Sequence, residues 1–228
     1  MSQIEIIPAV LVKSREELFS VSKKLQPFAT ALQLDVVDGV FDDDIAWPYI
    51  APNMLDDISN VRLPHADELF WEADLMVKNP RTLGEQLIGI GVRRIIAHIE
   101  AFTDDDAARE AFEVWGHAGA RVGVSIRLET SIAAVEGVFY DVEMIQVMGI
   151  AEIGAQGHAF DERALVRVRE LRNRFPQAII SVDGGVNATN ATALVVAGAN
   201  RLVVGSAILK ANDPRAAYEE MVKTVAKI

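Results

Sequence analysis

Three aspartates pose the chemical question in this 228-residue chain. Asp35, Asp74 and Asp183 each stand near the end of a short apolar, β-branched run. Side chains alternate faces along a strand, so residues two apart share a side. Gln33 then lies with Asp35; Glu72 and Asp74 with Met76; Ser125 with Arg127; Gln146 with Met148; and Ser181 with Asp183. The intervening Leu34, Ala73, Leu75, Ile126, Val147 and Val182 are apolar and suit a face packed against helices. With the polar faces turned inward, the three aspartates converge and Glu72 lies one layer deeper. Clustered carboxylates repel, and burial raises the cost of their charge. A metal cation, a buried Arg127 or retained protons must compensate. The structural alternative is a satisfied polar plug built around Arg127.

Glycine supplies the second signal. Asp183-Gly184-Gly185-Val186-Asn187 closes one apolar run and Gly205-Ser206 closes the next, each ahead of an expected helix. Glycine lets the backbone approach an anion closely, and the N–H groups that follow can bind it. Two such turns in succession point to a phosphate grip formed by Gly184, Gly185, Gly205 and Ser206.

The elements that must position these groups follow from periodicity. Strands are predicted at Ile6–Val12, Ala31–Val37, Leu69–Val77, Arg94–His98, Arg121–Arg127, Glu143–Met148, Ala178–Asp183 and Arg201–Val204. About eight segments of helical period lie between them, giving units of about 28 residues. Ser14 and Glu17 form a capping-box pair. Leu165, Val168, Leu171 and Phe175 form an apolar stripe. Gly119 and Gly198 mark helix ends. Repeated βα units imply parallel strands with right-handed crossovers, and eight suggest a closed (β/α)8 barrel over residues 1–228 as one domain. A doubly wound open sheet is the alternative, but no Gly-rich turn follows the first strand. In a barrel the strand ends that carry the polar set form the catalytic face, as do the loops after strands seven and eight that bind phosphate.

Composition narrows the function classes. With no cysteine there is no disulfide framework, thiolate nucleophile or Cys-ligated zinc. The net charge of -11 argues against nucleic-acid and anionic-membrane partners, while leaving room for a local anion site made of backbone N–H groups. No uncharged apolar run reaches the ~18–20 residues of a membrane helix. The run from Ile4 to Val12 is broken by Glu5 and Pro8 and has no basic leader, so a cytoplasmic location is expected. Asp104, Asp105 and Asp106 fit a helix start. Asp42, Asp43 and Asp44 fit a solvated loop.

The motifs together resemble the ribulose-phosphate 3-epimerase family across nearly the whole chain. Ile7-Pro8-Ala9-Val10-Leu11 is similar to its I-x-P-S-I-L, and Gln33-Leu34-Asp35-Val36-Val37-Asp38-Gly39-Val40-Phe41 to H-x-D-V-M-D-G-x-F. Asp74-Leu75-Met76-Val77 resembles H-L-M-V, and His98 with Glu100 resembles H-x-E. Val182 to Asn187 matches V-D-G-G-[IV]-N, and Val204 to Ile208 the final G-S-A-I. The resemblance implies a ribulose-phosphate-binding TIM barrel, a homo-oligomer and a phosphorylated sugar ligand. It also implies epimerisation by proton transfer through Asp35 and Asp183, with Met76, Gly154 and Arg127 near the substrate.

The departures from the family pattern concentrate at the substrate end. Gln33 and Asp74 stand where the family has metal-binding histidines, Ala9 replaces a serine, Val37 a methionine and Arg127 an asparagine. The loop from Met148 to Gln156 lacks the family's N-P-G core and carries Glu152. Two outcomes follow. In one, Gln33, Asp35, Asp74 and Asp183 hold a divalent cation, with magnesium or manganese favoured over zinc or iron by the all-oxygen donors. In the other there is no metal and Arg127 is the resident cation. The expected activity is that of a ribulose-5-phosphate 3-epimerase. The alternatives are a sister phosphosugar reaction, such as six-carbon epimerisation, aldol cleavage or decarboxylation, and a catalytically inactive sugar-phosphate-binding barrel. Val37 breaks the D-x-K-x-x-D motif of the decarboxylase branch.

Overall fold

A computed structural model describes residues 4–151, 153 and 157–226. Eight parallel strands close a barrel. They are β1 (Glu5–Val10), β2 (Ala31–Val37), β3 (Phe70–Met76), β4 (Arg94–His98), β5 (Arg121–Ile126), β6 (Met144–Met148), β7 (Ile179–Asp183) and β8 (Arg201–Val204). Each pairs with its sequence neighbours, and β1 pairs with β8 to complete the ring. Closure leaves no edge, which rules out the open sheet.

The alternation reads as expected. Leu34, Leu75, Ile126, Val147 and Val182 are fully buried against the helical layer. Removing such a side chain from water contributes about 1.5–3 kcal/mol each. The residues between them face the lumen, because their hydrogen bonds join strands that are not neighbours. Gln33 on β2 bonds Asp183 on β7, and Gln146 on β6 bonds Asp74 on β3.

The helices differ more from expectation. Helices Arg15–Leu25, Pro80–Gly89, Asp105–His117 and Arg163–Arg174 follow β1, β3, β4 and β6. The helix after β5 is a single turn, Ala133–Glu136. Between β2 and β3 a hairpin of Tyr49–Ala51 and Met54–Leu55 replaces a helix among the described residues. Its entry is set by Asp38, which is buried. One Asp38 oxygen accepts from the Val40 and Phe41 N–H groups, and the other from the Lys78 N–H beyond β3. Asp38 therefore ties two loops of the catalytic face together, and Gly39 makes the turn at φ 70°.

Local caps follow the sequence. Ser14 accepts from the Glu17 N–H, while the Glu17 carboxylate accepts from Lys13 N–H, one residue before the usual capping-box partner. Asp104 caps its helix through the Ala107 N–H. Gly119 and Gly198 follow helices at positive φ.

Candidate active site

The C-terminal ends of the strands surround a cavity of about 160 Å3. Asp35 and Asp183 line it together with Met76, Gly184, Gly185, Gly205 and Ser206. The turns are shaped by close packing. Gly184 and Gly185 have φ of 102° and 67°, and a Cβ on Gly185 would lie 2.6 Å from the Phe160 Cα. Glycine is required there both by conformation and by space. The helix after β7 begins only at Ala191, with a turn held by Asn187 and Asn190 in between. So the Gly184–Gly185 turn does not open a helix directly, contrary to expectation. Ser206 does begin a one-turn helix, Ser206–Leu209.

Beneath the cavity lies a buried polar layer. The Gln33 side-chain N–H2 donates to Asp35 Oδ1 at 2.8 Å and to Asp183 Oδ2 at 2.5 Å. With its nitrogen turned to both carboxyls, Gln33 Oε1 faces away and is buried without a donor among the described residues. Gln146 donates to Asp74 Oδ2 at 3.0 Å and accepts from the Ser181 hydroxyl. The other Asp74 oxygen lies 3.6 Å from His98 Nε2. His98 Nδ1 is 3.4 Å from Glu100. Glu100 in turn accepts from the Arg127 N–H and the Thr130 hydroxyl.

These surroundings set the proton affinities. Burial and the Asp74 charge push the Asp183 carboxyl up to about 7, against the Gln33 and Gly184 donors. Burial alone would lower His98, but the Asp74 and Glu100 charges outweigh it and raise the imidazole to about 9. Burial would raise Glu100, yet His98 and its donors bring it to about 2. The site therefore sets a buried imidazole between Asp74 and Glu100, with its proton affinity raised, beside an aspartate whose proton affinity is also raised.

Arg127 is not the cation at this centre. Strand β5 stops at Ile126, and the Arg127 guanidinium lies over the Phe41 ring at 4.6 Å while donating to the Phe41 carbonyl. No hydrogen bond joins it to Asp35, Asp74 or Asp183 among the described residues, so the plug built on Arg127 is not formed. Glu72 is also elsewhere in function, paired with Arg94 and Arg201 at the other barrel mouth. Gly154 and Glu152 lie outside the described residues. His98 was legible as half of H-x-E at a strand end, but nothing in the sequence marked it as the partner of Asp74. His158 and Phe160, which also line the cavity, sit in the loop after β6 that lacks a recognisable motif.

As placed, Gln33, Asp35, Asp74 and Asp183 do not fit a divalent cation. The Gln33 amide nitrogen occupies the space between Asp35 Oδ1 and Asp183 Oδ2, and Gln33 and Asp74 are fully buried behind the cavity wall. Among the described residues no group of three His, Cys, Asp or Glu side chains is arranged around a common point.

Comparison with known proteins agrees with the motifs. A family model described as the ribulose-phosphate 3 epimerase family matches residues 3–209. The chain belongs to the ribulose-phosphate 3-epimerase family. A ribulose-phosphate 3-epimerase of Aquifex aeolicus is 31% identical over 81% of this chain and 80% of its own. The ribulose-phosphate 3-epimerase of Schizosaccharomyces pombe is 27% identical over 100% of this chain and 96% of its own. Among solved structures, a 3-hexulose-6-phosphate synthase from Salmonella typhimurium superposes with a TM-score of 0.71 at 16% identity, covering 98% of this chain and 99% of that one. KGPDC from Streptococcus mutans gives 0.72 at 11% identity over 99% and 98%. At these identities the two structures share the barrel with the epimerase family and nothing finer. No helix among the described residues is long and apolar enough to cross a membrane.

Proposed function

We propose that the chain epimerises carbon 3 of a keto-pentose phosphate, the ribulose-5-phosphate 3-epimerase reaction. The observation that carries this reading is the cavity in which Asp35 and Asp183 meet both glycine turns. The phosphate sits against the backbone of Gly184, Gly185, Gly205 and Ser206, and Met76 walls the reacting carbons.

The chemistry needs one base and one acid on opposite faces of the carbon. Asp35 takes the C3 proton, and the bonding electrons move into an ene-diolate spanning C2 and C3. Asp183, whose carboxyl is raised to about 7, returns a proton to the other face of C3. The Gln33 amide, bonded to both carboxyls, fixes their separation and orients them toward the cavity. Asp35 then gives its proton to solvent and Asp183 takes one up, which resets the site. No step passes through a metal.

The test is conversion of ribulose 5-phosphate to its C3 epimer, followed by NMR. Conversion that is lost in both Asp35→Asn and Asp183→Asn is the expected result. Absence of conversion by the unaltered chain, with inorganic phosphate still raising its Tm, would overturn the reading and leave a sugar-phosphate-binding barrel. The phosphate grip has its own check: protection by phosphate should vanish in Gly205→Val.

A further inference from the structure

We infer that this chain organises its carboxylate pair without a divalent cation, the Gln33 amide standing between Asp35 and Asp183. The inference takes those carboxylates as the reactive pair proposed above. It makes a separate claim, about what holds them together.

The geometry closes for each carboxylate in turn. Asp35 and Asp183 are each bonded to the same amide nitrogen, at 2.8 and 2.5 Å. A nitrogen within hydrogen-bond range of both oxygens excludes an ion that would need 2.0–2.6 Å bonds to the same atoms. Asp74 receives the Gln146 amide on one oxygen and faces His98 with the other. His98 is wholly buried, and both of its ring nitrogens face carboxylates, Asp74 on one side and Glu100 on the other. At 3.6 and 3.4 Å neither approach is a hydrogen bond, and both ring nitrogens are buried without a hydrogen-bond partner among the described residues. His98 stands at a strand end beside Glu100, which the Thr130 hydroxyl and the Arg127 backbone N–H hold in place.

This arrangement also accounts for the residues at 33 and 74. An amide at 33 can donate, which a metal-ligating imidazole cannot do toward its metal. A carboxylate at 74 gives His98 a partner that a neutral side chain would not.

Metal uptake tests the inference directly and needs no substrate. The full chain is stripped with chelator, dialysed against magnesium, manganese, zinc or ferrous salts in turn, and assayed for bound metal per chain and by calorimetric titration. No stoichiometric uptake is expected from the unaltered chain. The double variant Gln33→His/Asp74→His removes the amide donor and places two imidazoles beside Asp35 and Asp183. It should take up one equivalent of zinc or iron. Should it fail to fold by circular dichroism, Gln33→Glu serves in its place, with manganese uptake expected. One equivalent of metal bound by the unaltered chain and lost in Asp183→Asn would overturn the inference. So would a folded variant that gains no metal, because the amide would then not be what keeps the cation out. Failure of C3 chemistry would leave these readings intact, so the two claims fail separately.

Discussion

Glu72 and Asp74 sit two residues apart on the same face of the same strand, both fully buried, and meet opposite surroundings. Toward the N-terminal mouth, Glu72 accepts from Arg201 through both of its oxygens, at 2.9 and 2.7 Å, and from Arg94 at 2.8 Å. Glu5 and Glu143 complete the guanidinium partners. Toward the C-terminal mouth, Asp74 shares its layer with Asp35 and Asp183, and one imidazole is the nearest positive charge. The first network neutralises its charge with arginines that cannot lose a proton. The second relies on amides and leaves one carboxyl, Asp183, raised to about 7. Buried charge that is fully paired holds a fold together, whereas buried charge that is incompletely paired keeps proton affinities adjustable, as acid–base chemistry needs.

The comparison breaks most visibly at Glu72. Glu72→Gln leaves two buried guanidiniums with only the more exposed Glu5 and Glu143 as charged partners and should lower stability by about 3–5 kcal/mol. Urea denaturation measures it, and a loss below about 1 kcal/mol would mean that the N-terminal mouth is not the structural end. The catalytic mouth should respond the other way. Asp35→Asn and Asp183→Asn should reduce epimerisation about 10²–10⁴-fold while the fold stays intact.

Stability against pH sharpens the contrast. Asp183 is raised from 3.8 in the unfolded chain to about 7 in the fold. The folded state keeps a proton that the unfolded state has lost, so its contribution is full below 3.8 and falls as pH rises through about 7. Asp183→Asn should remove that fall and leave the variant more stable than the parent above pH 7. The Tm should differ by roughly 2–4 °C for each kcal/mol. His98, raised from 6.5 to about 9, stabilises fully below 6.5 and loses that contribution as pH rises through about 9. His98→Gln should therefore be destabilised by ~1–3 kcal/mol at neutral pH, with the gap closing above pH 9. The smallest effect belongs to Arg127→Ala, which loses its stacking on Phe41 and should cost about 0.5–1 kcal/mol. A large loss of epimerisation in that variant would place the guanidinium on the substrate instead.

Much of this was legible because strands and barrels impose simple rules. Period-two alternation put Gln33, Asp35, Asp74, Gln146 and Asp183 inside, and the glycine pairs marked the cavity rim. The region between β2 and β3 was not legible, because Asp38 organises it through the adjacent Val40 and Phe41 N–H groups and the distant Lys78 N–H rather than through a periodic pattern. Arg127 was misplaced for a related reason. The alternation that carries Ser125 inward stops with the strand at Ile126, and a long side chain one residue further is free to stack on Phe41. His98 was visible in the sequence, but its role depends on Asp74 across a strand pairing, and the sequence showed no reason for an imidazole to need two carboxylates.

The most direct measurement is hydrogen exchange at carbon 3. Chelator-treated protein is incubated with ribulose 5-phosphate in D2O, and the C3 hydrogen is followed by NMR. Deuterium should enter at C3 with chelator present, and Asp35→Asn should abolish it. Exchange that appears only when a divalent metal is restored, or no exchange at all from the unaltered chain, would contradict a metal-free carboxylate pair as the catalytic centre.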